Sequence, residues 1–203
     1  MKRLVCILLI VLVSSCQVGQ ERPPGADYAA WSEASSDGSW TRVAESAVAA
    51  TSLASQMPKD INKFCPAYSG LNGESRVMFW VGLLSAIAKY ESNFTPGLKY
   101  TERLLDTNGN QVISRGLLQL SVESANQKRY ACAPLAAEDL HDPATNLTCG
   151  ARILSNWVEA DGVVAHLDEE DVGGARYWSA LRPSNDTLAN ISAITRGFGF
   201  CGV

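Results

Sequence analysis

The chain has no block of basic residues. Its 17 lysines and arginines are scattered among 21 aspartates and glutamates, for a formal charge of −4. Nucleic-acid binding needs a basic patch or stripe, so that class has no electrostatic footprint here. No run of ~18 apolar residues occurs, which excludes a permanent spanning helix. No two cysteines are spaced as in a C-x2-C pair, which argues against a zinc site. No segment repeats, which leaves one unit rather than a stacked array. What is present is ample apolar material: 46% of 203 residues are hydrophobic, enough for one domain with a real core.

The N-terminus reads as an export signal. Lys2 and Arg3 precede the apolar run LVCILLIVLV at residues 4–13, and SSC follows. The VSSC ending at Cys16 resembles the bacterial lipobox, in which the cysteine is lipidated and becomes the first residue. Gln17, rather than aspartate, follows it, and the resemblance then implies an outer-membrane lipoprotein facing the periplasm. An ordinary secretory signal is the other reading. Removing residues 1–16 takes away Lys2 and Arg3, so the remainder is more acidic still. Charge will not draw it onto anionic surfaces. Four cysteines then remain, Cys65, Cys132, Cys149 and Cys201. In an exported chain an even number reads as two disulfides. Of three possible pairings we expect Cys132–Cys149, closing a local loop, and Cys65–Cys201, tying the domain's ends.

Residues 17–58 read as a tether, rich in Ser, Gly, Pro and acids at first, with a possible helix over 41–57 stopped by Pro58. The compact domain is expected over 59–203. A strong helix is predicted from Glu74 to Tyr90. It is apolar on all sides, as a central buried helix is. Asn-Gly within LKYTERLLDTNGNQVI predicts a hairpin of two or three short strands. Helices are then expected at 115–127, after Asp142-Pro143, around 171–181 and over 186–196. The fold class is mainly α, with a small β hairpin after the central helix.

Residues 77–88, VMFWVGLLSAIA, carry no charge, yet Glu91 follows. It continues the 84-87-88 stripe, so its side chain leaves the helix on a packed face. Burial and the negative end of a helix both favour a protonated carboxyl. A proton held near neutral pH is what a general acid on a glycosidic oxygen requires. A helix-terminal glutamate turned to solvent is the plain alternative.

The segments AIAKYESNF, SRGLLQLS, NLTCGARIL and RYWSALR, in this order, resemble the motifs of the lytic transglycosylase and lysozyme-like families over about residues 74–182. The resemblance implies a lysozyme-like domain. It also implies cleavage of the bond between N-acetylmuramic acid and N-acetylglucosamine in peptidoglycan. Glu91 would act first as acid on that bond. It would then act as base on the C6 hydroxyl, closing a 1,6-anhydro ring. Ser92 and Ser114 would support the site by hydrogen bonding, Gln119 would bind sugar, and Tyr177 would stand near the cleft. No cofactor or metal is implied, and the partners are glycan strands and, through lipid, a membrane. A monomer is expected. Two departures from the pattern stand out. Ser114, Arg115 and Gly116 are contiguous, and the stretch between the first two motifs is longer than usual. RYW replaces the AYN of many members, which weakens the carry-over to Tyr177. Tyr100 and Trp178 are further aromatic candidates for stacking on sugars, with core packing preferred for Trp178.

A hydrolytic lysozyme would use a second carboxylate. Asp106, in the hairpin, is a candidate, and Glu102 is another. DTNGNQ is equally how a plain turn is written. It also partly imitates a calcium loop, with Asp106, Asn108 and Asn110 in place. Gln111 and Leu117 stand where that loop needs glycine and glutamate, so calcium is not expected. Beside the two enzyme readings stands a third, a lipoprotein that binds peptidoglycan without cutting it.

Overall fold

The computed structural model describes residues 28–132, 135–167 and 170–202. Its axis is helix α3, Gly73–Ser92, after the shorter α1, Ser39–Ala49, and α2, Ile61–Phe64. The Asn72 side chain caps α3 by accepting from the Ser75 N–H at 2.8 Å, and Glu74 favours the same positive helix end. Every residue from Phe79 to Ala88 is buried. The one polar side chain among them, Ser85, donates to the Gly82 carbonyl and accepts from the Ala30 N–H. Asn93 and then Phe94 take left-handed backbone, which ends α3 and throws the chain sharply aside.

Residues 28–58 are folded onto this axis and do not form a tether. Trp31, Ala44, Val48 and Leu53 are all fully buried, and α1 packs on both α3 and α5, Pro143–Asp161. The reason is apolar spacing: Ala44, Ala47 and Val48 share one face of α1, and Trp31 and Leu53 flank it. The compact body therefore reaches back at least to Tyr28. Cys6, Cys16 and residues 17–27 lie outside the described residues. Among the described residues no helix is long and apolar enough to cross a membrane.

Helix α5 opens on Asp142, whose carboxylate accepts from the Thr145 N–H at 2.8 Å, with Pro143 in the first turn, and it ends at Gly162 in left-handed backbone. Helix α6, Thr187–Arg196, packs on α2 and α3. Strands β1, Lys99–Leu105, β2, Gln111–Arg115, and β3, Leu120–Ser121, form an antiparallel sheet in the order β1-β2-β3. Tyr100 faces Ser114 across the first pair, and the register shifts between Thr101 and Leu105. A second small pair joins β4, His166–Leu167, to β5, Glu170–Asp171.

Two predicted helices are replaced. Over 115–127, β2 runs through Arg115, a turn follows, and only Val122–Ala125 is helical (α4), capped by Ser121. Gly116 and Gln119 both have positive φ, which a helix cannot absorb. Over 171–181 there are two single-turn 3-10 segments, Gly173–Arg176 and Ser179–Leu181. Gly173 also has positive φ, and a Cβ there would sit 2.4 Å from the Val163 carbonyl oxygen. Disulfides join Cys65 to Cys201 and Cys132 to Cys149.

Candidate active site

Glu91 sits in the last turn of α3, half-buried, and borders an open cleft of about 360 Å3. Lys99, Tyr100 and Glu102 of β1 line it as well, together with Leu98, Gln119 and the exposed Ser179. The start of β1 and the residue before it thus border the cleft.

Burial pushes the Glu91 carboxyl up to about 7 from an ordinary 4.5. The Ala180 N–H donates to it and pulls the other way. The negative charge of Glu102 raises it, and the Arg182 guanidinium lowers it. Arg182 is held by Asp171, with Nε 3.3 Å from the carboxylate, and by the Ala175 carbonyl. The balance leaves Glu91 able to give a proton near neutral pH and to take one back.

The supporting residues divide by what they touch. Ser92 is buried and donates to the Leu117 carbonyl at 2.8 Å and the Ala88 carbonyl at 3.2 Å, tying the helix end to the turn after β2. Ser114 donates to Glu102 Oε1 at 2.7 Å. Asn146, on α5 and fully buried, accepts from the Leu118 N–H at 2.9 Å and donates to the carbonyls of Arg115 and Leu140. This staple needs Gly116: a Cβ there would lie 2.1 Å from the Leu140 oxygen and 2.4 Å from the Asn146 amide nitrogen. Gly150 lets Leu118 close over α5 in the same way.

Gln119 is 8% exposed. Its amide nitrogen donates to the carbonyls of Gly116 at 2.8 Å and Leu98 at 3.3 Å. The amide oxygen is itself buried and has no hydrogen-bond partner among the described residues, so the side chain that lines the cleft keeps an acceptor unused. Tyr177 does not line the cleft; it is half-buried, its ring 4.8 Å from that of Trp178 and its hydroxyl accepting from the Ser121 N–H at 3.4 Å. Burial raises its phenol strongly, and the Glu91 charge adds to this. Trp178 is core, with Nε1 donating to the Leu118 carbonyl at 2.9 Å.

Asp106 is not brought to the cleft. It lies at the hairpin tip and accepts from the N–H groups of Asn108 and Asn110, each at 2.8 Å, which hold its carboxyl below the usual range. The carboxylate that shares the cleft with Glu91 is Glu102. Leu98, Lys99 and Ser179 were not singled out from sequence. Closeness in sequence to Tyr100 is the signal that could have found Leu98 and Lys99. Lys99 is tied to Glu138 at 3.2 Å.

A glutamic acid closing a buried helix and facing a small antiparallel sheet across an open cleft defines the lysozyme-like fold. Residues 71–164 match the family described as Transglycosylase SLT domain, and the chain belongs to that family, which acts on peptidoglycan glycan strands. Among solved structures it is similar to DslA in wild-type form 2, with 41% identity and a TM-score of 0.80 over 86% of this chain and 97% of that one. Two glutamate-to-glutamine mutants of DslA are similar as well. One has 41% identity and a TM-score of 0.79, over 85% of this chain and 96% of that one. The other has 40% and 0.80, over 86% and 97%. No curated protein matches the chain.

Proposed function

We propose that the chain cleaves the bond between N-acetylmuramic acid and N-acetylglucosamine as a lytic transglycosylase, with Glu91 as its single acid and base. The observation that carries this is a cleft-lining carboxyl whose burial holds it near pH 7. Protonated Glu91 gives its proton to the glycosidic oxygen as the C1–O bond breaks. The resulting carboxylate takes the proton of the C6 hydroxyl, and O6 bonds to C1. The proton count closes on Glu91 and no water enters. Gln119 binds sugar through the side-chain amide it brings to the cleft, and Tyr177 packs near Glu91.

A second reading is favoured by one observation. Glu102 shares the cleft, is oriented by Ser114, and bears electrostatically on Glu91. As a hydrolase, the protein would use Glu91 as acid and Glu102 in place of Asp106 as the second carboxylate. The glutamates replaced in the two DslA mutants are as far apart in sequence as Glu91 and Glu102. Product mass from purified peptidoglycan separates the readings. A transglycosylase yields 1,6-anhydro ends, one water lighter than the ends a hydrolase leaves. Binding without cleavage, the third reading, would leave the wall intact.

Attachment to a bacterial membrane through lipid on Cys16, most simply the outer membrane facing the periplasm, is proposed on the sequence of residues 1–17 alone. The mass of the mature N-terminus tests it, and Cys16→Ser should release the chain into the soluble fraction.

A further inference from the structure

Five large apolar side chains are exposed among the described residues, and four of them lie in β1 or just before it: Leu98 (37%), Tyr100 (57%), Leu104 (69%) and Leu105 (63%). Scattered exposed apolar residues need no explanation, but a concentration on one element does. β1 is an edge strand, exposed at every position except Glu102. It lies in the stretch that is longer than the family's usual spacing. Leu98 and Tyr100 line the cleft with Glu91, and Leu104 and Leu105 follow further along the same strand.

We propose that β1 is a glycan-binding extension of the cleft, along which a peptidoglycan strand passes from Tyr100 toward Leu104 and Leu105. The inference rests on the glycan-cleaving reading of the cleft. The chemistry fits an amino-sugar polymer. Each ring has an apolar face for Tyr100 and the leucines, and its amide and hydroxyl groups suit the unpaired N–H and C=O groups of an edge strand.

Two other occupants fit less well. A bilayer would meet the polar tip Asp106–Asn110 before the leucines, and Asp106 is held ionised there. A second copy pairing along the edge would meet Lys99, Glu102 and Arg103, and the register shift after Thr101 spoils a regular ladder.

The test is the double substitution Leu104→Ser/Leu105→Ser in the full chain. Both side chains stand in solvent, so the fold should tolerate it. KM on long glycan strands is expected to rise roughly five- to tenfold, from the loss of part of two leucine contacts, with turnover at saturation retained. KM on an oligosaccharide of two disaccharide units should not change. In parallel, retention on insoluble peptidoglycan is measured with Glu91→Gln protein, with and without the two serines. A several-fold loss of retention is expected. Because retention needs no cleavage, a chain that bound but did not cut would overturn the proposed activity and leave this test standing. Equal KM and equal retention would overturn the inference. So would binding to phosphatidylethanolamine–phosphatidylglycerol vesicles, or a dimer seen by light scattering, if either were abolished by the two serines while wall retention stayed unchanged.

Discussion

On the proposed reading Glu91 carries the chemistry because of where it stands, and its position has a thermodynamic consequence. Its carboxyl has a folded-state value near 7, above the ordinary 4.5, so the folded state holds the proton more tightly than the unfolded one. The favourable contribution is complete below 4.5 and is lost as pH rises through 7. Above 7 the ionised, buried group costs about 3 kcal/mol, which a glutamine would not incur. Glu91→Gln should therefore melt higher than wild type at pH 8 and equally at pH 4, in matched thermal scans. Activity carries the same signature. In the proposed mechanism only the protonated acid begins the reaction, so kcat/KM should fall above about pH 7. Glu102→Gln removes the neighbouring negative charge and should move that limb to lower pH. A transglycosylase keeps turnover in this variant, whereas a hydrolase that uses Glu102 loses it.

At the scale of elements, the site depends on how the turn between β2 and β3 is pinned to α5. Asn146 satisfies three backbone groups there, all within the buried interior. Asn146→Ala leaves a donor and two acceptors unpaired and should cost about 3 kcal/mol or more. Denaturant unfolding reads the loss, and activity should drop with it because Gln119 and β3 follow the same turn. These elements were unequally legible in the sequence. Helix α3 was plain, because a long charge-free run with helical spacing has few other outcomes. The hairpin was plain as well, because Asn-Gly specifies a turn locally. The 115–127 segment was misread as a helix: Ser114 looks like a cap, and GLLQLS has apolar residues where a helix wants them. Its shape is set by positive φ at Gly116 and Gln119, which in turn answers to Asn146, far away in sequence. Long-range packing of that kind leaves no periodic trace. Glu102 and Asp106 illustrate the same limit, since only the hairpin's register decides which carboxylate reaches the cleft.

Across the whole molecule, the N-terminal arm and the two disulfides hold the body around α3. The arm's role was hidden because its apolar face is weak and composition alone made residues 17–58 look like a tether. Cys65–Cys201 closes a loop with a sequence separation of 136, and Cys132–Cys149 one of 17. Chain entropy assigns about 5 kcal/mol to the longer loop and about 3 kcal/mol to the shorter. Cys65→Ala/Cys201→Ala should lower Tm more than Cys132→Ala/Cys149→Ala does. The proposed function makes one carboxyl the centre of this architecture, and its most direct test is the rate at which Glu91→Gln degrades purified peptidoglycan, relative to wild type at pH 6. The expected result is a loss of about 10²–10⁴-fold in a protein that remains folded. A folded variant that degrades the wall at the wild-type rate would contradict the account.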